Sequence, residues 1–485
     1  MEPQNPLTPA LSAQAYTVSM VENILRHLDY TPNRQQSLVI EALARFCAPV
    51  VAKTPPEGAS TDPAFILAGY AGTGKSSLTG ALVAALDEMQ VPAVLLAPTG
   101  RAAKVFGAYA RHTAFTIHRH IYRHSLDGGF PGLRENRHDN TLFIVDEASM
   151  ISGEPSPNGS SLLEDLIQYV FAGVGNRLIL LGDTAQLPPV GSDSSPAMDP
   201  DVLRTFGLKV SRAMLTATVR QDANSGILLN ATALRRAMAE GNISLIPKII
   251  IGQHSDTSIV LPEELPEEIE TAYRRDGIEN TLLITRTNAR ATAFNKAIRE
   301  QVLYLDSVIS PGEQILIGKN NYFWPRKVKG LDFIANGDIA VVSRVYGYEK
   351  KYGLSFADVE ITLPDFGAAL DCKIVLDTLW SDTPALSYEQ LTRLYNELLA
   401  DDSIHNSYDY QARARTVASS PYWNALQVKY AYCVTCHKAQ GGQWDNVFVD
   451  MGYIHPDSAG LELYRWLYTA ITRGRRRLTV IDTES

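Results

Sequence analysis

The sequence predicts an α/β protein built on parallel sheets, and two observations lead to this fold class. The first is a series of short apolar segments at 64–69, 93–98, 142–147 and 178–183, each ending in a polar residue, a proline or a glycine. The second is the helical pattern between them, as in SSLTGALVAALDEM after the first segment. Strands that alternate with helices form parallel sheets, which bind ligands at the carboxyl ends of their strands.

The bulk properties are those of a large globular chain. Its 485 residues predict two to four domains, and 45% of them are hydrophobic, so sizeable cores can form. The net charge of −9 gives no overall basic footprint, so any nucleic-acid site must be local. There is no signal-peptide pattern, no apolar run of roughly 18 residues and only four cysteines. We therefore expect a cytoplasmic protein without disulfides or membrane spans.

The elements before and within the first sheet follow in order. Residues 1–30 are polar and rich in proline, so we expect a partly flexible extension. From Gln35 apolar positions recur at helical spacing, and breaker residues at 51–62 then predict a loop. The four apolar segments supply the strands of the sheet.

A second sheet begins at 281–300, where TLLIT precedes a helical pattern. Residues 310–380 differ, because short β-like stretches alternate with turns, and they predict a small β-barrel-like insertion. A polar and helical segment follows at 385–415. Further apolar segments then complete the interrupted sheet, at 429–435, 446–451 and 477–483.

The segment 69–77, GYAGTGKSS, fits the phosphate-binding pattern G-x-x-x-x-G-K-[ST] between a strand and a helix. Its backbone N–H groups can point at phosphates, and the helix dipole favours an anion. We expect Lys75 to reach the β- and γ-phosphates of ATP and Ser76 to bind Mg²⁺. No NKxD motif follows, which disfavours GTP. The predicted nucleotide contacts here are Gly69, Gly72, Thr73, Gly74, Lys75, Ser76 and Ser77.

Two adjacent carboxylates end the third apolar segment, LFIVDE. Asp146 suits Mg²⁺, directly or through water, and Glu147 can orient and deprotonate an attacking water. Acidic residues at a strand end are often merely solvated, but behind a phosphate-binding loop this pair indicates ATP hydrolysis.

The segment 180–191, LLGDTAQLPPVG, resembles motif III of the superfamily 1 helicases. The resemblance covers most of the chain, from about residue 32 to residue 483. It implies that Gln186 senses the γ-phosphate. It also implies two arginine fingers, Arg220 in TATVRQ (motif IV) and Arg473 in LYTAITRGRRR (motif VI).

One further glutamine resembles the adenine-reading residue of the Q motif in that superfamily. This is Gln36 in PNRQQ. Gln35 is an alternative, and a solvated glutamine at a helix start is the plain interpretation.

The resemblance also implies contacts with a single nucleic-acid strand. APTGRAA is similar to motif Ia and TIH to motif Ib, whose hydroxyls and cations meet phosphates without reading sequence. Early in the second sheet, Thr287 and Asn288 are further candidates, although Asn288 can equally be a helix cap. The strand contacts predicted from these three segments are Pro98, Thr99, Arg101, Thr116, His118, Thr287 and Asn288.

The segment 433–441, CVTCHKAQG, begins with the CxxCH signature of c-type haem attachment. The lack of an export signal, the strand-to-helix junction predicted there and the surrounding NTPase motifs argue against haem. Zinc would need further ligands at suitable spacing. The segment instead resembles motif V, which implies that Thr435, His437 and Lys438 bind the strand. Gln440 and Gly441 would then lie nearer the nucleotide.

Together the motifs are similar to the RecD-like branch of superfamily 1, which includes the Dda-like enzymes. The resemblance implies two RecA-like P-loop domains in tandem, the second interrupted by an SH3-like β-barrel insertion. The implied divisions are an extension at 1–30, motor domain 1 at 31–220 with a pin-type insertion at about 119–140, motor domain 2 at 221–305 and 427–485, and a barrel with a helical segment at 306–426. Phe130 is a candidate pin residue or a loop aromatic packed on its own domain.

The implied activity is that of an ATP- and Mg²⁺-dependent helicase, a monomeric motor that moves 5′ to 3′ on single-stranded DNA and unwinds duplex junctions. DNA repair or recombination, with protein partners from replication or recombination, would be its setting. The residues alone do not show direction. They also leave open an RNA-dependent ATPase of the same superfamily, the motor subunit of a recombination nuclease complex, a non-motor P-loop enzyme such as a kinase, and a passive single-strand binder.

Overall fold

The computed structural model describes residues 13–51, 62–123, 132–155, 159–217, 225–328, 331, 333–383, 385–405 and 408–482. Arg220 and the pin candidate Phe130 lie outside these residues. Within the ranges described, no helix is long and apolar enough to cross a membrane.

The first part of the chain alternates helices and strands, as the apolar pattern predicts. Its elements are α1 (Ala13–Arg26), α2 (Arg34–Val51), β1 (Ala64–Gly69), α3 (Lys75–Glu88), β2 (Ala93–Ala97), α4 (Gly100–Ala110), β3 (Ala114–Thr116), α5 (Ile117–Ile121), β4 (Tyr122–Arg123), β5 (Gly132–Leu133), β6 (Leu142–Val145), α6 (Leu162–Phe171), β7 (Arg177–Gly182), α7 (Pro200–Thr205) and β8 (Val210–Leu215).

Six of these strands form one parallel sheet in the order β3-β2-β6-β7-β1-β8. Strands β1, β6 and β7 are buried along their whole length, which explains their continuous apolar sequences. Because the strands are parallel, their carboxyl ends meet at one edge of the sheet, and the loops that carry the predicted motifs follow there. We call this part the first sheet domain.

The N-terminal segment differs from the expectation of a flexible extension. Residues 13–26 form α1, and its Met20 and Ile24 are fully buried against α2 and α3. The sequence did not predict this helix, because its few apolar residues are interspersed with polar ones and form only a narrow apolar face. This helix therefore belongs to the core of the first sheet domain.

The second part of the chain contains a five-stranded parallel sheet and an insertion. Its elements are α8 (Gly226–Glu240), β9 (Thr257–Val260), α9 (Leu265–Asp276), β10 (Thr281–Thr285), α10 (Asn288–Ala297), β11 (Gln314–Ile317), β12 (Ile339–Lys351), β13 (Leu354–Leu363), β14 (Ala368–Val375), α11 (Tyr388–Ala400), α12 (Tyr410–Ala418), β15 (Leu426–Tyr430), β16 (Cys433–Thr435), α13 (Cys436–Ala439), β17 (Trp444–Asp450), α14 (Leu461–Ile471) and β18 (Gly474–Ile481).

The sheet of this second part has the order β16-β10-β17-β18-β9, and we call it the second sheet domain. Strands β11 to β15 close into a five-stranded barrel, with α11 and α12 inserted between β14 and β15. The barrel strands lie between β10 and β16 in the chain, so the second sheet is assembled from segments on both sides of the insertion. A buried ion pair, Arg299 Nε to Glu313 Oε1 at 2.6 Å, ties the barrel to the second sheet domain.

Candidate functional site

A cavity of about 770 Å³ lies between the two sheet domains. The first sheet domain lines it with the loop after β1, with the acidic pair after β6, and with Asp183 and Gln186 after β7. The second sheet domain contributes Ile227, Leu228, Ala231, Gln443, Thr472, Arg473, Gly474 and Arg475. Residues from both domains therefore face one open cleft at the carboxyl edge of the first sheet.

The glycine-rich loop has the geometry that the phosphate-binding pattern requires. Gly72 and Gly74 adopt positive φ angles of 76° and 83°, which side-chain-bearing residues rarely reach. The Thr73 hydroxyl donates to the Tyr70 carbonyl at 2.8 Å, and the Lys75 ammonium donates to the Gly69 carbonyl at 3.3 Å. Lys75 is also the first residue of α3, so the loop leads directly into a helix N-terminus.

The acidic pair turns sharply out of β6. Glu147 has a φ of 51°, a left-handed conformation that costs a non-glycine residue about 1 kcal/mol or more. The Asp146 carboxylate accepts a hydrogen bond from the Glu147 amide at 2.8 Å and another from the Tyr109 hydroxyl at 2.6 Å. Burial raises the pKa of Glu147, an effect that the nearby Arg473 opposes. Among the described residues, Glu147 Oε2 has no hydrogen-bond partner, so it is available to a ligand or water.

Arg473 comes from the end of α14 and reaches across the cleft. Its guanidinium lies 4.0 Å from Glu147 Oε1. It donates to the Thr469 carbonyl at 3.1 Å and to the Gly442 carbonyl at 3.3 Å, and it is only 3% exposed. These bonds aim a fixed cation at the acidic pair from the opposite domain. The other predicted finger, Arg220, lies outside the described residues.

The loop after β7 is bound to the second sheet domain on several sides. Tyr468 donates to Asp183 Oδ2 at 2.6 Å and accepts from the amide of Ala71 at 2.9 Å. The Leu187 amide donates to the Thr469 hydroxyl, and the Leu187 carbonyl accepts from the Gln440 amide, both at 2.8 Å. Helix α14 therefore touches both the phosphate-binding loop and the loop that carries Gln186, and Gln440, which follows α13, touches the second of these loops.

Four residues predicted to contact nucleotide, Gly69, Gln36, Gln440 and Gly441, do not line the cavity. Gln36 is fully buried, and its side-chain amide donates to the Tyr30 hydroxyl at 3.1 Å and to the Thr73 carbonyl at 3.2 Å. Gln36 therefore bonds two residues that line the cavity, Tyr30 and Thr73, without lining it itself. The alternative, Gln35, hydrogen-bonds the segment after β8, at the amides of Thr216 and Ala217. Adenine recognition by either glutamine stays a prediction.

Gln440 and Gly441 contact the first sheet domain outside the cavity, and their role toward the nucleotide stays a prediction. Gln440 bonds the Leu187 carbonyl, as described above, instead of facing the cavity. Gly441 packs against the N-terminus of α4, where an added Cβ would come within 3.2 Å of the Thr99 hydroxyl. Both residues therefore join the two domains.

The strand residues predicted in the first sheet domain act mainly as caps and contacts between parts of the chain. The hydroxyls of Thr99 and Thr116 accept from the amides of Ala102 and Arg119, each at 3.2 Å, and Thr116 is buried. Arg101 lies over the Trp444 ring at 3.9 Å from its centroid and donates to the Gln443 carbonyl. Pro98 is half-buried just before this helix N-terminus. Arg101 therefore contacts the second sheet domain in this structure.

His118 belongs to an aromatic cluster that links α5 to the segment before β12. Its ring centroid lies 5.5 Å from that of Tyr122 and 6.2 Å from that of Phe333. Phe333 in turn stacks on Tyr322 at 5.4 Å. Burial lowers the pKa of His118. Aromatic rings grouped beside basic segments are suited to stacking on nucleic-acid bases.

The strand residues predicted in the second sheet domain are partly brought together. Asn288, Thr435 and Lys438 line one small cavity where β10 and β16 end. Lys429 lines the same cavity, and its pKa is lowered to about 8 by burial and by the neighbouring Lys438. Two partly buried lysines beside each other favour an anion. The structure therefore gathers two cations and two polar side chains at this edge.

The remaining two residues of that group have other surroundings. Thr287 caps α10 by accepting from the Arg290 amide at 3.2 Å, so the cap is Thr287 and not Asn288. His437 is half-buried on α13, and burial lowers its pKa. Cys433 and Cys436, of the CxxCH signature, are both buried, on β16 and at the start of α13.

Sequence reasoning missed Tyr109, Asp183 and Tyr468. Asp183 follows an apolar strand just as Asp146 does, so the same rule would have found it. Burial raises its pKa, an effect that the nearby Lys75 opposes. Tyr468 lies within a quoted motif but carries no charge, and Tyr109 lies nine residues into a helix without any local signal.

The donor set next to the phosphate-binding loop fits Mg²⁺. Ser76 and Asp146 line the same cavity and supply hydroxyl and carboxylate oxygens, the ligand types that this cation prefers. Within the described residues there is no group of three or more His, Cys, Asp or Glu side chains that could hold a metal by themselves. That pattern suits a cation bound largely by nucleotide phosphates and water.

Two family models match parts of the chain. A model described as an AAA domain matches residues 58–246, and one described as a UvrD-like helicase C-terminal domain matches residues 430–481. The first range contains the glycine-rich loop and the acidic pair, and the second contains Lys438 and Arg473.

Three similar proteins extend this comparison. The chain is 38% identical over 172 residues to the ATP-dependent RecD2 DNA helicase of Deinococcus radiodurans, covering 35% of this chain and 21% of that protein. It is 33% identical over 134 residues to the ATP-dependent DNA helicase Pif1 of Bdellovibrio bacteriovorus, covering 26% of this chain and 29% of that protein. The matches thus span less than a third of either relative. A solved structure of Pif1 helicase from Bacteroides with ADP-AlF3 and ssDNA covers 93% of this chain and 92% of that chain, at 14% identity and a TM-score of 0.47.

Proposed function

We propose that the chain is an ATP-driven motor that moves along single-stranded DNA and unwinds duplex DNA, because it resembles the RecD- and Pif1-like helicases of superfamily 1. The observation that carries the proposal is the cavity between the sheet domains. One wall presents Lys75 and Glu147, and the other presents Arg473. A site divided in this way couples the chemistry of a nucleotide to the relative position of two domains.

We further propose that the two sheet domains are RecA-like motor domains and that the barrel is the SH3-like insertion of the second. The parallel sheets and the closed barrel between β10 and β16 support this assignment. The proposed boundaries are those given by the sequence, with α1 added to motor domain 1 and with β15 (Leu426–Tyr430) moved from motor domain 2 to the barrel. The pin-type insertion at about 119–140 falls partly outside the described residues.

In the proposed mechanism, ATP enters the cavity with its phosphates on the loop after β1. Lys75 leaves the Gly69 carbonyl and binds the β- and γ-phosphates, while Arg473 stabilises charge on the γ-phosphate from the opposite domain. Glu147 holds the attacking water and accepts its proton, for which its free Oε2 is available. Gln186 reports the state of the γ-phosphate to the loop that bonds Tyr468, Thr469 and Gln440.

Ser76 and Asp146 would hold Mg²⁺, which supplies charge neutralisation on the β- and γ-phosphates when it is bound. The protein residues orient the reactants and exclude water around them. Closure of the cleft on ATP and its reopening after hydrolysis shift a two-state equilibrium, and this requires that ATP bind the closed state more tightly.

Strand contacts on both domains would turn this opening and closing into movement. The cavity with Lys438, Thr435 and Asn288 would grip phosphates on motor domain 2. The N-terminus of α4 and the cluster around His118 would grip the strand on motor domain 1. Alternating affinity at these two places moves the protein along the strand, and we propose the direction 5′ to 3′ of the resembled branch.

The test is strand separation on partial duplexes that carry a single-stranded tail on either the 5′ or the 3′ side. The proposal predicts ATP-dependent unwinding of the 5′-tailed substrate and little unwinding of the 3′-tailed one. Lys75→Ala serves as the control, because this variant should not hydrolyse ATP and should therefore not unwind either substrate. Unwinding of the 3′-tailed duplex alone would overturn the direction, and the absence of unwinding with both would overturn the helicase proposal.

Two alternatives remain distinguishable by substrate. The proposed strand contacts are made by hydroxyls and cations of the protein, which bind backbone phosphates. Phosphates occur in RNA as well as in DNA. Unwinding of tailed RNA but not of tailed DNA would favour the RNA-dependent enzyme. A motor subunit of a recombination nuclease would unwind DNA only after its partner proteins are added.

A further inference from the structure

The hydroxyl of Tyr109 lies between the two residues that suit Mg²⁺. It donates to Asp146 Oδ2 at 2.6 Å, while Asp146 Oδ1 accepts from the Glu147 amide at 2.8 Å. The Ser76 hydroxyl interacts with the same phenol. Both carboxylate oxygens of Asp146 are therefore fixed in direction, one by the backbone and one by Tyr109.

Tyr109 is itself held in place by the packing of α4 on α3. At Gly80 the two helices approach so closely that an added Cβ would lie 2.8 Å from the Tyr109 carbonyl oxygen. The Tyr109 ring also stacks on Phe106, with centroids 5.2 Å apart and an interplanar angle of 29°. The position of the phenol is consequently set by the position of the helix.

The other end of α4 contacts the second sheet domain and the barrel. Arg101 packs on Trp444, and Lys104 pairs with Asp365 of the β13–β14 turn at 3.0 Å. A helix rises about 1.5 Å per residue, so roughly 14 Å separates Gly100 from Tyr109. Helix α4 is thus one rigid element with two ends. Its N-terminal end contacts the second sheet domain and the barrel and is predicted to meet the nucleic-acid strand, and its other end contacts Asp146 through Tyr109.

We infer that Tyr109 is a positioning residue for the divalent cation of the nucleotide complex, and that α4 carries movement at its N-terminus to Asp146 through this phenol. The inference rests on the proposed nucleotide hydrolysis. Hydrogen bonds weaken steeply with distance and angle, so a small shift of α4 changes how the Asp146 carboxylate is held. Residues that orient metal ligands in this way commonly set metal affinity.

The first experiment compares Tyr109→Phe with wild type in equilibrium binding of a fluorescent ADP, with Mg²⁺ and with EDTA. Tyr352→Phe is the matched control, because the Tyr352 hydroxyl, in the turn between β12 and β13, also donates to a carboxylate, Asp401 Oδ2 at 2.6 Å, and Tyr352 does not line the cavity. We expect the gain in ADP affinity on adding Mg²⁺ to fall about tenfold in Tyr109→Phe. Affinity in EDTA should stay within about twofold, and Tyr352→Phe should match wild type.

The second experiment measures how far single-stranded DNA stimulates ATP hydrolysis at saturating Mg²⁺. We expect the stimulation to drop several-fold in Tyr109→Phe and to be retained in Tyr352→Phe. A Mg²⁺-dependent gain that is unchanged in Tyr109→Phe, or reduced equally in both variants, would overturn the positioning role. Unchanged stimulation would overturn the role of α4. If wild type bound no nucleotide, the proposed function would fail instead.

Discussion

At the scale of single residues, Glu147 is the residue that we propose as the base in ATP hydrolysis. Its backbone is held at a positive φ, and its buried carboxylate faces Arg473 across the cleft. Removing the charge with Glu147→Gln keeps the shape and the hydrogen-bonding capacity of the side chain but removes the base. We expect the rate of ATP hydrolysis to fall at least about 100-fold, with ADP affinity changed by less than about threefold.

Steady-state hydrolysis and equilibrium binding of a fluorescent nucleotide check this prediction. Glu154→Gln is the control, because Glu154 is an exposed carboxylate a few residues further along the chain. Hydrolysis retained in Glu147→Gln would remove Glu147 from the role of base. An equal loss in Glu154→Gln would point to a general effect of lost negative charge.

Lys438 makes a second prediction, about strand binding. It lines the small cavity with Thr435 and Asn288, and burial lowers its pKa. Because each phosphate contact releases about one counterion, Lys438→Ala should weaken binding of single-stranded DNA about 5- to 10-fold. It should also reduce the slope of log affinity against log salt by about 0.7.

The control is Lys296→Ala, since Lys296 is well exposed on α10 and pairs only loosely with Glu300, at 3.9 Å. Fluorescence anisotropy with a labelled oligonucleotide at several salt concentrations gives both quantities. A salt slope equal to that of wild type would mean that Lys438 does not contact phosphate.

Much of the site was predictable at this scale, and the exceptions have a common cause. Local patterns predicted Lys75, Ser76, Asp146 and Glu147, because a strand end and a glycine-rich turn place such residues directly. Gln36, Gln440 and Gly441 contact distant parts of the chain and do not line the cavity, and their nucleotide contacts stay predictions. Such contacts, like that of Tyr109 with Asp146 37 residues away, leave no local signal.

At the scale of elements, the contact of the barrel with α4 is the least expected feature. Asp338, just before β12, is 2% exposed, and its Oδ1 has no hydrogen-bond partner in the part of the chain that the structure describes. An added Cβ on Gly100 would lie 2.6 Å from this oxygen and 2.9 Å from the Phe366 ring. A glycine at the start of α4 therefore permits the close approach of the barrel.

Asp338 gives a prediction about pH and stability. Burial raises its pKa from 3.8 to about 7. The folded state therefore binds the proton more tightly than the unfolded state, so wild-type stability falls as pH rises from about 4 to 7 and then levels off. Asparagine in Asp338→Asn stays uncharged over this whole pH range, so no charge has to be buried. We expect the variant to be more stable above pH 7, by up to about 4 kcal/mol, and the difference to vanish near pH 4.

Melting temperatures between pH 4 and 8 test this prediction. The exposed carboxylate of Asp371, on β14 of the same barrel, provides the control variant Asp371→Asn. Its stability should follow that of wild type within about 0.5 kcal/mol at each pH. A gain in Asp338→Asn that is the same at pH 4 and pH 8 would show that desolvation of a charge is not its cause.

Element types were predictable where the apolar pattern was strong. The four buried segments of the first sheet and the returning segments of the second are short, mostly continuous apolar runs, and the helical pattern between them marks them as strands of a parallel sheet. Helix α1 was missed because its buried face is narrow. The order of strands within each sheet was not predictable, since it depends on pairing between segments far apart in sequence.

At the scale of the whole molecule, the two sheet domains touch through hydrogen bonds that converge on the nucleotide cavity. Tyr468 bonds the phosphate-binding loop and Asp183 together, and Gln440 and Thr469 hold the backbone of Leu187. The resemblance to superfamily 1 helicases predicted that two domains would share the nucleotide. The particular residues that join them emerged only from the fold, because each contact spans at least 250 residues of chain.

The central claim is that hydrolysis in the cavity is coupled to a nucleic-acid strand. Its most direct test is the steady-state rate of ATP hydrolysis with and without a short single-stranded DNA, beside a single-stranded RNA of the same sequence. We predict strong stimulation by DNA and weak stimulation by RNA. A rate that is the same with DNA, with RNA and without either would contradict the account and indicate a P-loop enzyme that is not a motor.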